Sequence, residues 1–122
     1  MSQAIRERAQ TPEDLARLFV ERANAGDAEG LAALYEPDAV LGFGPGGLTV
    51  GRDAIRALLT QMVGADPRPV FALEDPLPTL RFGDLALTGT RAKDGTGGRA
   101  QVARRQPDGT WLRILDRPES AT

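Results

Sequence analysis

The chain has 122 residues, a net charge of −2 at neutral pH, and neither cysteine nor histidine. The missing residues exclude disulfides, thiol and imidazole nucleophile pairs, and the commonest general base and metal ligand, leaving Asp, Glu, Tyr, Arg and backbone groups for any chemistry. Charges of both signs are interspersed, with no basic face for nucleic acid, and no apolar run approaches the roughly 18 residues of a membrane span.

A chain of this size is long enough for one domain with its own core. The segment Met1–Arg8 has no apolar centre, so it does not read as a signal peptide. The expected location is cytoplasmic. Almost all the positive charge is arginine, with Lys93 the sole lysine and Arg104-Arg105 the only adjacent basic pair. A GC-rich codon bias accounts for that more simply than phosphate binding does.

Residues 1–10 are polar and read as a flexible lead-in, with one domain over 11–118 and a tail at 119–122. Thr11-Pro12-Glu13-Asp14 has the composition of a helix start, Thr11 capping and Asp14 reaching back. Leu15, Leu18, Phe19, Arg22 and Ala23 follow at helical spacing. Gly26 ends that helix. Asp27 caps a short second helix whose Leu31, Leu34 and Tyr35 share one face, and Pro37 stops it. Tyr35, the only tyrosine, reads as a packed core residue there.

Ala39–Phe43 reads as a strand, turning over Pro45-Gly46-Gly47 into Leu48-Thr49-Val50. The glycines around Phe43 lack the Lys-Ser/Thr ending of a phosphate loop, so the hairpin reading stands. A third helix follows Gly51-Arg52-Asp53 and buries Ile55, Leu58, Leu59 and Met62. The rest reads as sheet: Val70–Glu74, then Thr79–Phe82 and Asp84–Arg91 about a turn at Gly83. A turn at Gly95–Gly98 leads to the final pair, Arg99–Gln106 and Trp111–Arg117, around Pro107-Asp108-Gly109. The fold class is α+β, with three N-terminal helices packed on a curved, mixed but mainly antiparallel sheet.

This order resembles the nuclear-transport-factor-two-like superfamily, a cystatin-like cone shared with SnoaL-like polyketide cyclases and ketosteroid isomerase. The resemblance is carried by Gly26-Asp27, Leu31, Leu34-Tyr35, Asp38-Ala39-Val40, Gly51-Arg52-Asp53-Ala54-Ile55 and the hairpin Asp108–Leu115. It implies a small-molecule pocket inside the cone and cofactor-free acid–base chemistry where the member is an enzyme. It also implies that the ketosteroid isomerase tyrosine, base and second acid fall on Phe19, Phe43 and Gln101. None of the three keeps its functional group, so that isomerase route is not expected.

Alternation along the last strand groups Leu112, Ile114 and Asp116 on one face and Trp111 on the other. A two-residue turn at Asp108-Gly109 sets Asp116 opposite Gln101. Two readings of Asp116 follow: a base or polar anchor oriented by Gln101, or a rim charge paired with Arg105 or Arg117. Glu74 is the second acid, either at the cone's mouth or a solvated strand end. Arg105 either reaches the cavity or sits at the rim. Phe19, Phe43, Leu58 and Met62 line an apolar cavity or form plain core.

The expected function is therefore binding of a small hydrophobic, oxygenated ligand, with Asp116 and Gln101 as the catalytic pair and Phe19, Phe43, Leu58, Met62, Glu74 and Arg105 as ligand contacts. No cofactor, metal, nucleic acid or membrane partner is expected. The alternative is a non-catalytic homodimeric module whose outer sheet face carries Trp111, Arg113 and Leu115.

Overall fold

The computed structural model describes residues 5–93, 95 and 97–118. Residues 1–4 and the tail at 119–122 lie outside it, as does part of the turn at Gly95–Gly98. The elements are α1 (Asp14–Asn24), α2 (Ala28–Ala32), β1 (Tyr35–Leu41), a 3-10 turn (Pro45–Gly47), β2 (Thr49–Val50), α3 (Arg52–Val63), β3 (Asp75–Pro76), β4 (Leu80–Phe82), β5 (Leu85–Arg91), β6 (Gly98–Arg105) and β7 (Trp111–Arg117). The sheet runs β2-β1-β7-β6-β5-β3, with β4 also on β5. Among the described residues the β1–β7 pairing is parallel and the others are antiparallel. The expected α+β architecture is the one observed.

Local chemistry accounts for the helix ends. Thr11 Oγ1 accepts from Asp14 N at 3.3 Å, and Asp14 Oδ2 accepts from Gln10 N and Thr11 N at 3.0 and 3.3 Å. This reciprocal box satisfies donors that no helical carbonyl can reach. Gly26 takes φ +71°, which lets the chain leave α1 and turn into α2. Asp27 then caps α2 by accepting from Gly30 N at 3.0 Å. Leu15, Leu18, Leu31, Leu34, Ile55 and Leu59 form the core with Tyr35 and Trp111, so the helices cover one face of the sheet.

Several expectations are corrected. Tyr35 and Pro37 belong to β1 rather than to the second helix. The helical spacing of Leu31, Leu34 and Tyr35 continues across the break, but α2 ends at Ala32. No strand forms over Val70–Glu74, and Val70 is 89% exposed. Apart from these corrections, the lead-in makes contacts with the rest of the chain from Arg6 onward. Arg6 meets Asp27 through two bonds of 2.8 Å, Arg8 meets Asp108 at 2.7 Å, and Ala9 accepts from Trp111 N.

The β6–β7 pairing reaches the expected register by an unexpected route. Arg105 pairs with Trp111 and Ala103 with Arg113, one position out of step with a two-residue turn. An irregularity at Ile114 restores the step, so Val102 faces Leu115 and Gln101 faces Asp116. Such a bulge inverts the alternation along one strand. Trp111 and Arg113 consequently lie on the inner face with Asp116, all three buried, while Leu115 is 50% exposed on the outer face.

Candidate functional site

The inner face carries one row of polar side chains across three strands, because Thr88 pairs with Gln101 and Gln101 with Asp116. Thr88 Oγ1 donates to Gln101 Oε1 at 3.2 Å, and Gln101 Nε2 donates to Asp116 Oδ1 at 3.2 Å. Tyr35, delivered by the first residue of β1, donates its hydroxyl to Asp116 Oδ2 at 2.6 Å. Arg113 Nη1 approaches the same oxygen at 3.5 Å. Asp116 is thus held from three sides at 5% exposure. The rim-charge reading of this residue fails: neither Arg105 nor Arg117 bonds to it, and Arg105 instead pairs with Asp84.

Burial pushes the Tyr35 phenol well above its ordinary value, and the neighbouring Asp116 charge adds to the effect. The tyrosine is therefore a neutral donor at any physiological pH. Burial pulls the Arg113 guanidinium down, but the charge of Asp116, with Tyr35, outweighs it and holds the cation above its usual range. The guanidinium carbon lies 5.2 Å from the Phe19 ring centre and 5.9 Å from that of Tyr35. Both rings are within the distance at which an aromatic face attracts a cation electrostatically.

Arg113 is nevertheless short of acceptors. Among the described residues its Nε is buried without a hydrogen-bond partner, and the side chain's one bond, to Asp116, is long for a charge-assisted one. A guanidinium has five N–H donors. The side chain lines a small cavity of about 70 Å³ between α1 and the sheet. Phe19, Phe71, Leu73, Glu74, Thr90 and Gln101 are among the other walls. Glu74 Oε1 accepts from Arg99 Nε at 2.7 Å and from Thr90 Oγ1 at 3.2 Å.

The sequence-derived site residues therefore separate. Phe19, Glu74 and Gln101 meet at the cavity, with Asp116 directly behind Gln101. Leu58 and Met62 pack against the core but are not part of this wall. Phe43 is 56% exposed beyond the end of β1, because the strand stops at Leu41 before its side chain can turn inward. Arg105 lies at the exposed β6 end. Three residues that the sequence reading left out of the site, Tyr35, Thr88 and Arg113, complete the network.

No group of His, Cys, Asp or Glu among the described residues is arranged to hold a metal ion. No helix of the described residues is long and apolar enough to cross a membrane. The SnoaL-like domain pattern matches residues 16–114. The chain belongs to the SnoaL-like domain family.

No curated protein matches the chain. Solved structures agree on the fold. An NTF2-like protein with a cystatin-like fold from Novosphingobium aromaticivorans is 24% identical, with 85% of this chain and 75% of that one covered and a TM-score of 0.62. A candidate calcium/calmodulin-dependent protein kinase type II association domain from Thiobacillus denitrificans gives 21% identity, 96% and 99% coverage and a TM-score of 0.73. A ketosteroid isomerase-like protein from Erwinia carotovora atroseptica gives 19%, 86% and 89%, and 0.66. These likenesses establish the cone. The chemistry inside it has to be read from this SnoaL-like chain's own side chains.

Proposed function

We propose that this SnoaL-like domain binds a compact apolar molecule carrying a neutral oxygen acceptor, which sits against Phe19 and Phe71 and takes a hydrogen bond from Arg113. The observation that carries this reading is the guanidinium of Arg113: buried, over the rings of Phe19 and Tyr35, short of acceptors among the described residues and on the wall of a cavity. Charge balance selects the class of oxygen. Arg113 is matched by Asp116 and Arg99 by Glu74, so a ligand carboxylate would bring an uncompensated charge into an apolar recess. A carbonyl or ether oxygen would not.

In this reading Asp116 anchors the site. It fixes Gln101 and Arg113 in place, and Gln101 presents its amide to the ligand. Where the bound molecule reacts, a buried guanidinium stabilises negative charge developing on the oxygen, and Glu74 is the wall carboxylate that can take a proton. The family resemblance implies that Phe19, Phe43 and Gln101 stand at the ketosteroid isomerase positions, and none of them supports that enzyme's proton transfer.

Acetophenone and ethylbenzene, which share shape and differ at the oxygen, test the proposal. Acetophenone should bind more tightly than ethylbenzene to the unmodified protein, and Arg113→Met should abolish the difference. Equal binding of the two compounds to the unmodified protein would overturn it. Asp116→Asn with unchanged ligand selectivity would remove Asp116 from the site.

The homodimer reading is supported by a different observation. The registers line up Val50, Val40, Leu115, Val102, Leu87 and Leu80 in one row across six strands of the outer face. Val50, Leu115, Leu87 and Leu80 are 62%, 50%, 44% and 64% exposed. A continuous apolar stripe of that length on a sheet face favours a partner surface, and a second copy offers the same stripe by two-fold symmetry. Of the residues expected there, only Leu115 belongs; Trp111 and Arg113 face inward.

A further inference from the structure

The cavity at Arg113 is only about 70 Å³, whereas small-molecule sites run to roughly 300 Å³ and more. A ligand of the proposed class therefore needs part of the wall to move. Four consecutive wall residues, Phe71, Ala72, Leu73 and Glu74, come from the segment between α3 and β3. That segment is weakly held. Residues 66–73 make no backbone-to-backbone hydrogen bond among the described residues.

The backbone of Phe71 is instead held by a single side chain. Phe71 N donates to Asn24 Oδ1 at 2.8 Å, and Asn24 Nδ2 donates to Phe71 O at 2.9 Å. Both bonds are exposed to solvent, which competes for them. The Phe71 ring meets Phe19 edge-on, with centroids 5.9 Å apart, and so occupies the apolar end of the cavity. Val70 and Leu73 on either side are 89% and 49% exposed, so little burial holds the strap down. Asn24 is the last residue of α1, so the clasp joins the segment to that helix.

We infer that residues 66–73 form a strap that opens to admit the ligand, with Asn24 as its latch and Phe71 as the plug that the ligand displaces. The inference rests on the pocket reading above and adds the route by which that pocket fills. Few backbone bonds, an exposed clasp and low burial are the features of a segment that opens locally without unfolding the domain. The α1 and β5–β7 walls, held by helix and ladder bonds, stay in place while it moves.

The test uses the full chain and its Asn24→Ala variant. Amide exchange at Phe71 is measured without ligand, and the association rate of acetophenone is then measured by NMR exchange. The strap predicts that the Phe71 amide exchanges well before global unfolding, and that Asn24→Ala speeds both exchange and association several-fold. Asn24→Asp keeps the acceptor for Phe71 N and loses the donor to Phe71 O, so it should fall between the two. A Phe71 amide that exchanges only with global unfolding overturns the inference. Early exchange with equal association rates in both proteins also overturns it and leaves the pocket reading standing. No acetophenone binding to either protein overturns both.

Discussion

Tyr35 donates its hydroxyl hydrogen to Asp116 at 2.6 Å, joining the first residue of β1 to the sixth of β7. The two strands run parallel and pair directly, so the bond ties this parallel pair together on the inner face of the sheet. Replacing Tyr35 with Phe keeps the ring under Arg113 and deletes one donor to a buried carboxylate. The expected loss is about 1.5–3 kcal/mol of stability, read from the denaturant midpoint at unchanged slope.

The same bond sets a response to alkali. Tyr35 is the sole tyrosine, so the tyrosinate absorbance band reports it alone. Its folded pKa is raised above the unfolded value of about 10. A group shifted in that direction contributes fully below the unfolded value and loses its contribution as pH rises through the folded one. The native protein should therefore stay free of tyrosinate past pH 10 while its stability declines, and Tyr35→Phe should remove that part of the decline. Spectrophotometric titration in buffer and in denaturant checks both.

Acid should act through a different group, the carboxylate that caps α2. Asp27 is held below its ordinary range, chiefly by the hydrogen bonds from Arg6 and, against the cost of burial, by the Gly30 amide. Its contribution is present above the unfolded value of about 4 and is lost as pH falls through the lower folded value. Asp27→Ala removes the α2 cap as well and should cost about 1 kcal/mol near neutral pH. The cost should shrink in acid, which unfolding measured across pH 2 to about 6 would show.

Breaking the buried ion pair should be expensive from either side. Arg113→Met leaves Asp116 without its cation, and the expected loss is about 3–5 kcal/mol. Asp116→Asn keeps a polar group for Tyr35 and Gln101 and should cost less. The double variant should cost less than the sum of the two, and a double-mutant cycle measures the coupling.

How much of this was legible in the sequence depends on what each feature rests on. The α+β order, the capping at Thr11 and Asp27, and the Gly26 exit follow from local chemistry and were readable. The Gln101–Asp116 pair was also readable, though two departures cancel to produce it: a longer β6–β7 connection and an irregularity at Ile114. That irregularity carries no signal in the alternation of the strand, so Arg113 and Trp111 could not be assigned to the inner face. Tyr35 was misplaced because helical spacing with Leu31 and Leu34 persists one turn beyond the last helical residue. Val70–Glu74 has strand composition but no partner edge in reach, since β3 and β4 already occupy that side of β5.

The outer stripe makes its own prediction. Leu115→Glu places a charge at the middle of the row, on a side chain already 50% exposed, so the fold should be retained. If two copies meet through this face, sedimentation should show a dimer converted to a monomer. An unmodified protein that is monomeric at micromolar concentration would count against the stripe as a homodimer surface.

What Arg113 faces decides whether the cavity takes an oxygen acceptor. The direct measurement is an amide and side-chain NMR map of the protein titrated with acetophenone. Perturbations gathered at Phe19, Phe71, Gln101 and the Arg113 Nε–H are the expected result. Shifts confined to the outer row around Leu87 and Leu115, with the Arg113 Nε–H unmoved, would contradict it.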